Sequence, residues 1–467
     1  MSQTSTEVAP RERPAKSTNS LERLEQSIAR LASTTPIMRL GGTVTHVTPA
    51  YVQISGLSQH LKLGDSIAFG TGPEPPLGEV VRIDEKDATV KPFDVNLKIG
   101  PGEPAWLQGS QSLRPDKSWK GRVLNARGAA IDGLGPLREG ERTYAFDAEP
   151  PPAMNRQRVK TPLKSGVRVM DLFTPLCAGQ RIGIFAGSGV GKSTLLSMLA
   201  RSQGFDTVVL ALVGERGREV REFLEDALAQ NRSRAVTVVS TGDESPMMRR
   251  LAPKTALAVA EFFRDQGDSV LLIVDSVTRF AHATREVALA AGEAPVARGY
   301  TPSVFSELPK LLERAGPGSE GAGSITGVFS VLVDGDDHND PIADSIRGTL
   351  DGHIVLDRKI ADQGRYPAVN VLQSVSRLAN TVWSAEQRKL VMMLRAMISQ
   401  YEDTRDLRLM GGYQKGADAE LDKAIDIVPK LYEVLKQALT DPQSLDPFQE
   451  VARALTEAAE AQQPPAR

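Results

Sequence analysis

Cysteine is almost missing from this 467-residue chain. Only Cys177 is present, so no internal disulfide can form and a cytoplasmic setting is expected. Its neighbours, PLCAG, are apolar and turn-forming, which suits a packing residue better than a nucleophile. Long apolar runs are also lacking. No uninterrupted stretch of about 18 apolar residues occurs, so no membrane-spanning helix is expected, and the opening MSQTSTEVAPRERPAKS has no apolar signal region. Neither charge sign dominates: the formal net charge of -2 implies no broad polyanion-binding surface. Against these absences stand 40% hydrophobic and 24% charged residues, an ordinary soluble composition over a length that suggests about three domains.

The most informative stretch is QRIGIFAGSGVGKSTLLSMLAR, residues 180–201. Ile182, Ile184 and Phe185 make a short buried-strand pattern, and Leu195, Leu196 and Leu199 recur at helical spacing after the glycines. Between them Gly187, Gly189 and Gly191 allow the backbone to curl so that N–H groups of the loop, including those of Ser188, Val190 and Thr194, surround a polyphosphate. Lys192 would neutralise the β- and γ-phosphates, and the Ser193 hydroxyl would ligate Mg2+. Ala186 stands where the strict phosphate-loop pattern has glycine, so the match is to its relaxed form.

Taken in order, residues 1–18 read as a disordered tail and residues 19–34 as an amphipathic helix. Its apolar positions Leu21, Leu24, Ile28 and Leu31 could cover the neighbouring domain or dock a regulator. Short β-type segments within residues 36–98 suit a small closed antiparallel barrel. Its aromatics are sparse and its acids offset its bases, which disfavours a nucleic-acid platform. Residues 99–378 are expected to form the P-loop core, residues 379–460 a helical domain and residues 461–467 a flexible tail. Met392, Met393, Met397 and Met410 are expected to pack in the core or between helices of that domain rather than form a recognition surface.

Two further strand ends carry acids. TVVLALV, residues 207–213, runs into Glu215, which could orient water toward a γ-phosphate; Glu219 could instead pair with Arg216 or Arg218. SVLLIVDS, residues 269–276, ends near Asp275, the position expected for a carboxylate that holds Mg2+ through water. Arg279 is nearby and suits a structural tie as well as a chemical one. The acid-rich residues 334–340, DGDDHND, read as a surface loop, and His338 lacks zinc-ligand spacing.

The segments AGSGVGKST, VGERGREVREF, LLIVDSVTRF and GRYPAVNVLQSVSRL occur in an order that resembles the hexameric ATPase family containing rotary ATP synthase catalytic subunits. The wording, with GYTPSVFSELPKLLERAG and GGYQKGADAELDKAI, is most similar to the flagellar export ATPases and their injectisome relatives. That resemblance implies an α/β P-loop (RecA-like) ATPase core with an N-terminal small β-barrel and a C-terminal helical domain. It implies Glu215 as the water-activating carboxylate, with Arg216 beside it as a catalytic candidate. Tyr366 becomes the residue stacking on adenine, and Arg377 the arginine presented to a neighbour's γ-phosphate. Leu332 stands where the rotary catalytic subunit has a second pocket tyrosine.

The implied activity is Mg2+-dependent ATP hydrolysis by a homohexamer that energises flagellar type III protein export. Injectisome secretion and, further off, a rotary ATP synthase catalytic subunit or a ring RNA translocase are the alternatives. The implied partners are a stator-like negative regulator, a central stalk-like export protein, the export gate, and export chaperones and substrates, with no nucleic acid. The implied location is the cytoplasm, peripherally at the inner membrane by the export apparatus.

Overall fold

The computed structural model describes residues 38–227, 231–333 and 340–460, together with Leu21, Leu24, Glu25 and Ile28. The two tails expected at residues 1–18 and 461–467, and residues 334–339 of the acidic loop, lie outside the described residues, as does most of the N-terminal amphipathic helix. Its four described residues are helical, and Leu21, Leu24 and Ile28 are 69%, 56% and 56% exposed.

Residues 41–110 close a six-stranded barrel. Around it run Gly41–Val47, Val52–Ser55, Asp87–Pro92, Leu77–Ile83, Asp65–Phe69 and Pro104–Ser110, all pairing antiparallel. The closing strand comes from beyond residue 98, because both Gly41–Val47 and Asp65–Phe69 would otherwise present unpaired edges. Val44, Val52, Ile54, Ile67, Val80 and Val90 fill the interior. Phe69 and Phe93 are buried, so neither offers the exposed aromatic face that single-stranded nucleic acid stacks upon.

The central element is a nine-stranded sheet. Its path runs Val375–Ser376, Gly352–Leu356, Arg181–Ala186, Ser324–Leu332, Ser269–Asp275, Thr207–Glu215, Ala235–Thr241 and Val123–Asn125, with Gly316–Pro317 pairing off that path. All pairs from Gly352–Leu356 to Val123–Asn125 are parallel. Alternation places Val209, Ala211 and Val213 in one core and Val208 and Leu210 in the other, so both faces are covered, as a parallel sheet requires. At about 1.5–3 kcal/mol per buried aliphatic side chain, such a strand is fixed by packing, and the loop at its end inherits that position.

One face packs against the helices Pro246–Asp265, Val277–Ala290, Pro302–Glu313 and Pro341–Thr349. Ser245 caps the first by accepting from Met248 N–H, with Pro246 fixing its first turn. Under the other face lie Arg168–Phe173, Lys192–Ala200 and the C-terminal helices Ala385–Asp403 and Ala419–Leu435. These last two contribute Val391, Leu394, Ile398, Val428 and Leu431 to the same core cluster as the phosphate-loop strand.

The inward place expected for the methionines does not hold. Met392, Met393 and Met410 are 66%, 49% and 78% exposed, and only Met397 of the four packs partly against the core. The reason is helical phase: Val391, Leu394 and Ile398 take the inward stripe, which turns Met392 and Met393 outward.

Candidate active site

The site forms where parallel strands end. Ala186 closes its strand in register with Leu332 and Leu356, so its Cβ is accommodated by extended backbone where the strict pattern has glycine. Beyond it Gly189 (φ 76) and Gly191 (φ 91) adopt left-handed conformations that disfavour any side chain. Gly191 is also crowded: a Cβ there would lie 3.3 Å from the Tyr366 ring. Val190 is buried and anchors the loop, while Ser188 and Gly189 are exposed and the Ser188 carbonyl accepts a hydrogen bond from Arg358 at 3.0 Å. The helix Lys192–Ala200 then starts with its positive end toward the loop.

Lys192, Glu215 and Asp275 converge although they are far apart in sequence. Lys192 Nζ is paired with Asp275 and lies 4.0 Å from Glu215 Oε1. Arg279 Nε approaches the same Glu215 oxygen at 3.3 Å from the first turn of Val277–Ala290. Burial pushes the Glu215 carboxyl up to about 7, and the Asp275 charge adds to the rise, while Lys192 and Arg279 oppose it. Glu215 Oε1 is buried without a hydrogen-bond donor.

A cavity of about 290 Å³ opens in front of these groups, lined by Ser193, Thr194, Glu215 and Asp275. Ser193 and Asp275 offer hard oxygen donors on one wall, the chemistry Mg2+ prefers when phosphates complete its shell. Among the described residues no group of three or more His, Cys, Asp or Glu could hold a metal ion by itself.

The remaining candidates lie elsewhere. Tyr366 is 43% exposed beside Gly191. Arg216 extends outward, its side chain 81% exposed and paired with Glu219 at 3.3 Å. Arg377 is exposed on the sheet edge, its N–H bonded to the Asp351 carbonyl at 2.9 Å. Ser376 pairs with Gly352, at the start of the strand whose end, Leu356, pairs with Ala186. Arg377 is therefore about 16 Å along the strand direction from its own phosphate loop, at roughly 3.3 Å per residue. An arginine side chain cannot span that gap.

Ser330 and Arg279 complete the site. Ser330 Oγ donates to Asp275 at 2.5 Å from the neighbouring strand, a partner that only the sheet register reveals. Arg279 carries a signal in its spacing, since four residues past a strand-end acid place it on the first helical turn. Its partner Glu215 comes from another strand. Gly214 (φ 67) makes room, because a Cβ there would lie 2.8 Å from Arg279 Cδ.

The ATP synthase alpha/beta family, nucleotide-binding domain, matches residues 166–376, and the T3SS EscN ATPase C-terminal domain matches residues 383–457. The chain is 56% identical to a flagellum-specific ATP synthase of Agrobacterium fabrum, over 91% of this chain and 90% of that protein. It is 55% identical to the flagellum-specific ATP synthase of Rhizobium meliloti, over 97% of both. This chain belongs to the flagellum-specific and type III secretion export ATPases. An SPI-2 type 3 secretion system ATPase of Salmonella typhimurium is 45% identical over 78% of this chain and 84% of its own length. In structure, this export ATPase is similar to the assembled ATPase EscN of enteropathogenic E. coli, with a TM-score of 0.82, 38% identity, and coverage of 89% of this chain and 99% of that one. The P-loop core, closed barrel and C-terminal helices are thus the family's architecture, and the chain is an ATP-hydrolysing enzyme.

Proposed function

We propose that this export ATPase hydrolyses ATP at a site shared between neighbouring copies in a homohexamer, and that turnover energises flagellar protein export. The observation that carries the shared site is the separation of Arg377 from its own phosphate loop. Within one chain Lys192 would bind the β- and γ-phosphates, and Glu215 would accept a proton from the attacking water. Ser193 and Asp275 would hold Mg2+, which when bound offsets phosphate charge. Arg377 of the next copy would stabilise charge on the transferring phosphoryl group, and Tyr366 would stack on the base. The loop Gly187–Gly191 and Thr194 would supply backbone donors to the phosphates. Arg216, exposed and paired with Glu219, would act at a neighbour's surface rather than in its own cleft.

Lys192 is paired with Asp275. A bound triphosphate would offer the Lys192 ammonium a more highly charged anion, which would leave Asp275 available as a Mg2+ ligand. Glu215 then keeps Arg279 as its cationic neighbour.

The flagellar assignment is supported by 56% and 55% identity to flagellum-specific relatives, against 45% for the SPI-2 protein. Injectisome export is the second reading, favoured by the similarity to EscN. A relative assembled with its central stalk EscO, to which this chain is similar with a TM-score of 0.80 at 37% identity, supports a stalk-like partner. A stator-like negative regulator, the export gate, and chaperones with their substrates complete the proposed partners, at the cytoplasmic face of the inner membrane. Among the described residues no helix is long and apolar enough to cross a membrane. Co-purification from the native cell with mass spectrometry tests the assignment. Flagellar export proteins are the expected partners; injectisome components, synthase stalk subunits or RNA would each redirect it.

A further inference from the structure

Tyr366 stands in front of a cavity of about 180 Å³ whose apolar floor includes Val371, Ile398 and Leu435. The tyrosine ring is therefore not backed by close packing on that side. Its pose then depends on the contacts that hold residues 365 and 366, and beside the Arg365 N–H bond to the Ile360 carbonyl two of these come from the C-terminal helical domain.

Arg365 is the first of them. Its guanidinium lies 3.8 Å from the centre of the Tyr432 ring, in the last turns of Ala419–Leu435, and 3.7 Å from Glu402, near the end of Ala385–Asp403. The Tyr432 hydroxyl donates to the same Glu402 oxygen at 2.6 Å, so ring, cation and carboxylate form one closed cluster. Burial and the Glu402 charge raise the Tyr432 hydroxyl above its usual range, which keeps it a donor. Gln437 is the second hold. Its N–H donates to the Tyr366 carbonyl at 2.9 Å. Its buried side chain accepts from Arg168 N–H and donates to the Gly166 carbonyl, each at 2.9 Å, which ties it to the base of the phosphate-loop domain.

We propose that Arg365, Tyr432, Glu402 and Gln437 are positioning residues through which the C-terminal helical domain sets the pose of Tyr366 and thereby the affinity for the purine base. The inference rests on the reading that Tyr366 faces that base. It makes the helical domain part of nucleotide recognition without placing any of its side chains on the phosphates.

The test compares ATP with magnesium tripolyphosphate, which has the phosphates and no base. Tyr432→Leu removes the stacking ring, and Arg365→Lys keeps the charge while losing the planar stack. Each is expected to raise KM for ATP by about fivefold or more with kcat reduced less than about twofold, because only base binding is weakened. Tripolyphosphate affinity is expected to stay within about twofold. Added to Tyr366→Ala, Tyr432→Leu should raise KM no further, as required of a residue that acts through that ring.

Equal weakening toward ATP and tripolyphosphate, or additive effects in the double variant, overturns the proposal. A response in Tyr366→Ala with none in the cluster variants overturns the positioning role alone. An unchanged KM in Tyr366→Ala overturns the base-stacking reading and the positioning role with it. If Tyr432→Leu does not fold, Arg365→Lys and Glu402→Gln give the same comparison.

Discussion

Glu215 carries the most specific chemistry at the residue scale. Its carboxyl is raised to about 7 by burial and by Asp275, so in the free enzyme it is protonated at low pH and becomes a usable base as the pH rises. The expected result is a kcat/KM that climbs through a midpoint near 7 and then levels. Arg279→Gln removes a cation 3.3 Å from that carboxylate, so the midpoint should move to higher pH. A midpoint that stays put or falls would show that Arg279 does not tune the base. Glu215→Gln keeps the shape and loses proton acceptance, so turnover should drop by roughly 100-fold or more while nucleotide affinity survives. Affinity that collapses with an intact rate at saturating ATP would make Glu215 a binding residue instead. Lys192→Ala leaves Asp275 and Glu215 facing each other without the ammonium between them. Phosphate release should be abolished with the far-ultraviolet circular dichroism preserved; release near the unaltered rate rejects the role.

At the scale of elements, the phosphate loop depends on backbone that only glycine adopts easily. Gly191→Ala adds a methyl at φ 91 and within 3.3 Å of Tyr366, so it should weaken both phosphate and base binding. Calorimetric titration with ATP and with tripolyphosphate reads the two losses separately. Unchanged affinity for both would mean that loop and ring have room the structure does not display. The exposed Leu24 and Ile28 belong to a different element. Leu24→Asp with Ile28→Asp should weaken capture of the stator-like regulator and leave ATPase activity present; unchanged capture with a lower melting temperature would assign that helix to packing.

Much of the strand–loop–helix order was legible in sequence because the chemistry is local there. Apolar runs end at Glu215 and Asp275, and glycines precede Lys192, so each element announces its own end. What was not legible depends on register and phase. Ser330 reaches Asp275 only because two parallel strands align them. The barrel closes with Pro104–Ser110 because pairing partners, not local pattern, decide which strand covers an edge. Met392 and Met393 face outward because Val391, Leu394 and Ile398 claim the inward stripe.

For the whole molecule, the sheet separates two parts of one reaction. Lys192, Glu215 and Asp275 gather where parallel strands end, and Arg377 lies at the other end of the sheet on its outer edge. A chain alone is therefore an incomplete enzyme on this account, and its activity per chain should rise with protein concentration as copies assemble. The C-terminal helices share a core with the phosphate-loop strand, so helices and loop form one continuous packing unit.

The most direct test mixes two inactive proteins. Arg377→Ala keeps the phosphate loop, and Lys192→Ala keeps the arginine, so an adjacent pair in a mixed ring can rebuild one complete site. With a labelled-subunit assay first showing that mixed rings form, the account predicts ATPase activity in the mixture above that of either variant alone. Full activity of Arg377→Ala by itself, or of isolated monomers, would contradict it.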